Sequence, residues 1–275
     1  MNLRLRINGQ PGQGVAADDR GLCYGDGLFE TLYLHDGCAP LWPRHMTRLA
    51  EGCRRLNLPT PDPERLWREV LAASAGLVAA VVKVTWTRGS GQRGYAAPEP
   101  VQPTLIVSAA APTPWPEDWY HAGIRMHLCR TRLAIQPLLA GMKHLNRLEQ
   151  VLARSEWQDQ TVAEGLMLDL QERVVSATAS NVFAVDGNTL RTPPVERCGV
   201  AGVARAELLA RWPDTVVADL SLEDLFAADA LFITSAVRGI VPVRELAGYD
   251  WVGPVRLRDL QRDWYAAGLP GAVRT

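Results

Sequence analysis

The period of the apolar positions changes in blocks along the chain, from the strand period of two to the helical 3.6 and back. Residues 3–7 alternate and are followed by Asn8-Gly9, which predicts an opening hairpin. Residues 19–34 read as a loop punctuated by Gly21, Gly25 and Gly27 that leads into an apolar strand; three glycines in seven residues suit a tight turn or close backbone packing. Over 43–56, Met46, Leu49, Cys53 and Leu56 share one helical face behind a proline in the first turn. Arg44, Arg48, Glu51 and Arg55 fall near the opposite side, where periodicity alone makes Arg48 part of a solvated face. A helix over 63–75, a buried strand over 78–87 and a strand over 104–111 follow, with Lys83 pointing outward from the second of these.

The proline-rich stretch 111–119 is the linker signal, so the boundary is placed there: a small domain over 1–112, a linker over 113–122 and a larger domain over 123–275. In the second part a strand is predicted over 123–130. A helix runs from Lys143 to about Trp157 on the apolar positions Leu145, Leu148, Val151 and Leu152. Four short strands over 164–169, 173–175, 181–185 and 189–192 read as a meander. A helix led by Gly202, a strand over 230–234 and a last helix over 255–267 complete a two-domain α/β fold.

Composition narrows the class. With 47% apolar and 21% charged residues the chain is an ordinary globular protein, and a net charge of -1 leaves no electrostatic footprint for nucleic acid. Cys23, Cys38, Cys53, Cys129 and Cys198 are odd in number and widely spaced, which indicates neither a disulfide framework nor a zinc site. No signal peptide or membrane span is visible, so a soluble, cytoplasmic protein is expected.

The basic residues carry the first chemical hint. Of 29, only Lys83 and Lys143 are lysine. Arginine keeps its proton at usable pH, whereas a lysine in a dry or cationic setting becomes a nucleophilic amine able to form a Schiff base. Lys143 is therefore either that amine or a solvated lysine at a helix start. The segment T-R-G-S-G-Q-R-G-Y, 87–95, sets Arg88 and Arg93 among glycines, either to clamp a carboxylate or as a solvent loop. Gly202 opens a helix whose free N–H groups suit a phosphate, although most such starts bind nothing, and Thr234 and Ser235 offer hydroxyls on a turn. An amine for an aldehyde, donors for a phosphate and a polar partner for a ring nitrogen are the parts that pyridoxal phosphate needs.

The same parts occur in the order of a known family. Y-G-D-G-L-F-E-T at 24–31, R-H-M-T-R-L at 44–49, the 87–95 segment, A-G-M-K-H-L-N-R-L-E-Q-V-L at 140–152, A-T-A-S-N-V-F at 177–183 and G-V-A-R at 202–205 resemble the fold-type IV pyridoxal-phosphate enzymes, which include branched-chain and D-amino acid aminotransferases. K-H-L-N-R-L-E-Q and R-G-S-G-Q-R-G-Y resemble the branch of that family that splits 4-amino-4-deoxychorismate. The resemblance implies that the cofactor lies between two domains and that Lys143 forms the Schiff base and then moves the proton. It implies that Arg48 binds the phosphate, against the solvated-face reading, with Val203, Ala204, Ser235 and Ala236 completing the cup. It implies substrate contacts at Arg93, Tyr95, Arg88, Phe29 and Thr31, a homodimer, and release of 4-aminobenzoate and pyruvate. Two positions depart from the pattern. Phe29 stands where D-amino acid aminotransferases carry a tyrosine, and Ser176 stands where most members place a glutamate against the ring nitrogen. A serine hydroxyl leaves that nitrogen neutral and the electron sink weaker, which favours an elimination ending in an aromatic ring over transamination. Asp169 or Glu172 is the substitute if the strand register shifts.

Overall fold

The computed structural model describes residues 3–12, 14–251 and 255–271. The chain forms two compact units. One runs to Thr113 and also takes in Met142–Asn146; the other holds Pro114–Gly141 and the chain from Arg147 onward.

The first unit contains β1 (Arg4–Ile7), β2 (Gln10–Pro11), α1 (Arg20–Tyr24), β3 (Gly27–His35), α2 (Trp42–Leu56), α3 (Pro63–Ser74), β4 (Ala79–Thr87) and β5 (Thr104–Ala110). Its sheet is antiparallel, in the order β2-β1-β5-β4-β3. Alternation along β3 buries Leu28, Glu30, Leu32 and Leu34 and leaves Phe29, Thr31 and Tyr33 half-buried on the other face. Leucines of this kind stabilise the fold by about 1.5–3 kcal/mol each; a glutamate among them needs partners. α2 packs against β3 and α3 against β5. Each helix has a proline in its first turn, Pro43 second in α2 and Pro63 first in α3; Asp62 caps α3, and Asn57 ends α2 in the left-handed region at φ 50°.

The glycine loop expected before β3 is partly the short helix α1. Asp19 caps it by accepting the Gly21 N–H at 2.8 Å, and Gly25 ends it at φ 66°. A Cβ on Gly25 would come within 2.5 Å of the Asn146 Oδ1, so the turn closes only around glycine.

Lys143 does not start a helix. The Phe29 N–H donates to the Lys143 carbonyl at 2.9 Å and the Leu145 N–H to the Gly27 carbonyl at 3.0 Å, which lays Met142–Asn146 extended along β3. These long-range bonds override the apolar spacing that predicted a helix from 143.

The second unit holds α4 (Asp118–His121), β6 (Ile124–Leu128), α5 (Leu148–Arg154), β7 (Val162–Leu168), β8 (Val174–Ala177), β9 (Asn181–Asp186), β10 (Thr189–Thr192), α6 (Val203–Arg211), β11 (Val216–Val217), α7 (Leu222–Ala227), β12 (Ala230–Ser235), β13 (Gly239–Leu246), β14 (Tyr249–Asp250) and α8 (Val255–Ala266). Its mixed sheet runs β11-β10-β9-β12-β13-β6-β7-β8, with β14 on β13. The expected meander is thus two hairpins, β7-β8 and β9-β10, separated by β12, β13 and β6. One sheet face buries Leu166, Val182, Leu231 and Ile233, and on another Phe183 stacks on Phe232 at 4.9 Å. α5 turns Leu148, Val151 and Leu152 outward, at 76, 60 and 59% exposed. No helix among the described residues is long and apolar enough to cross a membrane.

Candidate functional site

In the first unit the sequence-predicted residues cluster on both faces of β3. The Lys143 Nζ lies 4.5 Å from the centroid of the Phe29 ring, and the Lys83 Nζ lies 4.9 Å from the same centroid. The two lysines of the chain therefore share one aromatic neighbour, a contact that favours cations. Lys83 is exposed on β4, as its strand position predicts, opposite Thr31.

On the helix-covered face, Arg48 is not solvated. Its Nε donates to Glu30 Oε1 at 2.8 Å, its Nη2 donates to Glu30 Oε2, and His45 Nδ1 meets that same oxygen at 2.6 Å. Glu30 and His45 are each 1% exposed. Burial alone would raise the Glu30 carboxyl; the Arg48 charge and the bonds from His45 and Arg48 outweigh it and hold the group at about 2. Burial lowers His45, the Glu30 bond and charge oppose this without cancelling it, and the Arg48 and Lys143 charges add to the lowering. Glu30 is thus held as an ion and a charge on His45 is disfavoured; facing a carboxylate, the His45 Nδ1 is the donor of that contact. Sequence reasoning missed both residues. The signal was available: Glu30 occupies a buried position in the β3 alternation, and His45 lies one helical turn before the buried Leu49.

The substrate candidates of the 87–95 segment separate. Arg93 and Tyr95 are exposed. Arg88 is buried, with Nε and Nη2 on Asp26 at 2.7 and 3.1 Å, Nη1 on the Asn57 carbonyl and Nη2 on the Leu56 carbonyl. Arg88, expected to touch substrate, thus has these donors committed to the fold. Arg20 does similar work, bonding Asp26 and the Gly94 and Tyr95 carbonyls, so the segment is anchored at both ends.

In the second unit, Gly202 caps α6 without any side-chain bond. A Cβ there would stand 2.0 Å from the Asn181 Oδ1, so only glycine lets the helix start beside Asn181. Val203 and Ala204 are the first residues of α6. Asn181 pairs with Thr234 across β9 and β12. The hydroxyls of Thr234 and Ser180 are buried with no hydrogen-bond partner among the described residues. An unpartnered buried hydroxyl costs about 1–3 kcal/mol, which two neighbouring residues carry beside an uncapped helix start. Ser235 and Ala236 follow at the end of β12, and the Ser235 Oγ accepts the Arg238 N–H at 3.1 Å. Ser176 is 8% exposed on β8, opposite Met167. Its suggested substitutes are engaged elsewhere, Asp169 with Arg173 and Glu172 with Arg132. Within the first unit, an amine beside an aromatic ring and an arginine held by a carboxylate are parts of the kind pyridoxal phosphate needs; within the second, so is a helix start without a side-chain cap.

Residues 27–246 match the model of the amino-transferase class IV family. The chain belongs to that family. It is 36% identical over 245 residues to an aminodeoxychorismate lyase of Vibrio harveyi, covering 86% of this chain and 89% of that one. It is 32% identical to a putative branched-chain-amino-acid aminotransferase of Methanocaldococcus jannaschii, covering 90% and 88%. Among solved structures, the 4-amino-4-deoxychorismate lyase of Pseudomonas aeruginosa superposes with a TM-score of 0.90 at 48% identity, covering 95% of this chain and 98% of that one. Fold-type IV architecture and dependence on pyridoxal phosphate follow for this member of the family.

Proposed function

We propose that this protein is a pyridoxal-phosphate-dependent lyase that converts 4-amino-4-deoxychorismate to 4-aminobenzoate and pyruvate, a step toward folate. The observation that carries the reading is Lys143, an amine set on an extended segment against Phe29 and in the same unit as Arg48. The likeness to two lyases of this name supports the choice of reaction.

Lys143, Arg48, Ser176, Val203, Ala204, Ser235 and Ala236 hold the cofactor in this reading, with Thr234 and Ser180 as further donors. Bound, it supplies an aldehyde for amines and a ring that withdraws electrons from the neighbouring C–H bond. Lys143 would hold the cofactor through its Nζ and, once the substrate amine is in that place, the same Nζ would take the proton from the carbon that bears that amine. Enolpyruvate departs from the adjacent carbon as the ring becomes aromatic. Arg93, Tyr95, Phe29 and Thr31 bind the substrate. We infer a homodimer, supported by the apolar stripe on α5, and a cytosolic setting, supported by the free thiols of Cys53, Cys129 and Cys198.

The test is an absorbance spectrum of the purified protein, then addition of aminodeoxychorismate with both products assayed. A yellow protein that forms them in equal amounts without a keto acid, and fails to after Lys143→Ala, is expected. A protein that acts only with an amino acid and 2-oxoglutarate is a transaminase, the reading favoured by the Methanocaldococcus relative. One variant addresses that choice directly. Ser176→Glu is expected to raise transamination relative to elimination, measured as keto-acid turnover against pyruvate release.

A further inference from the structure

An arginine that is to hold a phosphate is already bound on one edge by a buried carboxylate. Both oxygens of Glu30 face Arg48, and one of them also faces His45. Two parallel bonds fix the plane of the guanidinium, so its direction is set before any anion arrives. The pairing also creates a problem of charge. Glu30 and Arg48 cancel, and burial beside Arg48 disfavours a charge on His45. A phosphate dianion added at Arg48 would leave a surplus of negative charge among groups that are nearly out of water, where like charges interact strongly.

Of the charged groups acting on His45, Glu30 comes from β3, Arg48 from its own helix and Lys143 from the extended segment. His45 has its Nδ1 hydrogen on Glu30, which leaves Nε2 as the basic atom. An anion on Arg48 offsets the guanidinium charge that opposes a proton there.

We propose that Glu30 and His45 are a positioning pair for Arg48, in which Glu30 sets the guanidinium and His45 takes up a proton at Nε2 when a dianion docks on Arg48. The proton comes from solvent, and the charge of the group rises by one as the anion lowers it by two. This rests on the reading of Arg48 as a phosphate ligand.

Sulfate tests it, because it keeps two charges throughout the pH range and any proton taken up belongs to the protein. The full-length chain freed of pyridoxal phosphate is titrated with sulfate by calorimetry from pH 5.5 to 8, in pairs of buffers that differ in ionisation heat. For the wild type the sulfate Kd is expected to rise with pH, approaching tenfold per unit at the steepest, with up to about one proton taken up per sulfate. In His45→Gln, which keeps a donor for Glu30 but cannot titrate, the Kd should be flat and the proton uptake absent. Glu30→Gln should also flatten the profile, and should tighten sulfate at high pH because the competing buried charge is gone; neither change follows from a purely structural role. A flat wild-type profile overturns the proposal without recourse to any variant, and so does an unchanged slope in His45→Gln, which would put the proton on another group such as His144. Arg48→Gln separates the two readings: if it leaves the sulfate Kd unchanged, the phosphate role of Arg48 fails, whatever His45 does.

Discussion

The first unit offers an anion a charge, and the second offers it neutral donors. Arg48 is held by a full ion in a site almost closed to water, while Thr234 and Ser180 carry hydroxyls that bond nothing among the described residues and α6 begins without a side-chain cap. The difference follows from what burial does to each kind of group. An isolated buried charge is too costly to keep waiting, so the guanidinium comes with its carboxylate and histidine already in place. A hydroxyl or N–H group left unpaired costs about 1–3 kcal/mol, which a fold can sustain. Preorganisation therefore takes two forms here, neutralised charge in one unit and unused hydrogen-bonding capacity in the other.

The sharpest way to break that contrast is to leave the charge alone in the first unit. Glu30→Leu strands Arg48 and His45 without their shared partner and is expected to lower stability by about 3–5 kcal/mol in urea denaturation. Acid should reach the same contact in the intact chain. The Glu30 carboxyl lies at about 2 in the fold against an ordinary 4.5, so its stabilising effect is whole above 4.5 and is lost as pH falls through 2, roughly 3 kcal/mol in all. His45, lowered from 6.5, adds a loss in the same direction that begins below 6.5, because the unfolded ring takes its proton first. Urea midpoints followed from pH 7 downward should therefore converge for the wild type and Glu30→Leu.

In the second unit the changes should be smaller and should divide by state. Gly202→Ala drives a methyl against Asn181 and is expected to cost about 1–3 kcal/mol, with cofactor affinity falling about tenfold by absorbance titration. Thr234→Val removes an unpartnered hydroxyl. It should stabilise the cofactor-free protein by about 1 kcal/mol while loosening pyridoxal phosphate, opposite signs that a simple packing role would not give.

The legible parts of the sequence were those governed by local rules. α2 and α3 start at or one residue before their prolines, and β3, β4 and β5 follow their apolar runs to within a residue or two. The family match was legible in short motifs spread along the chain. What escaped depended on distant partners. The spacing of Leu145, Leu148, Val151 and Leu152 is helical, yet Leu145 belongs to a segment bonded to β3, and the other three face outward from α5. Arg88 looked like a ligand on a glycine-rich loop because nothing near it in sequence announces Asp26 and the end of α2 as its partners. The Glu30–His45 contact joins residues fifteen apart, and each looks ordinary until strand alternation and helical phase are laid together.

The return of Met142–Asn146 to the first unit changes what a fragment of this protein can be. A chain cut at Thr113 keeps Arg48, Glu30 and His45 and loses the amine; a chain begun at Pro114 carries the amine and loses the strand whose backbone holds it. Neither half is heritable as a cofactor-binding module by itself, so a recombination event that exchanges the N-terminal unit must preserve a five-residue match with a distant part of the gene.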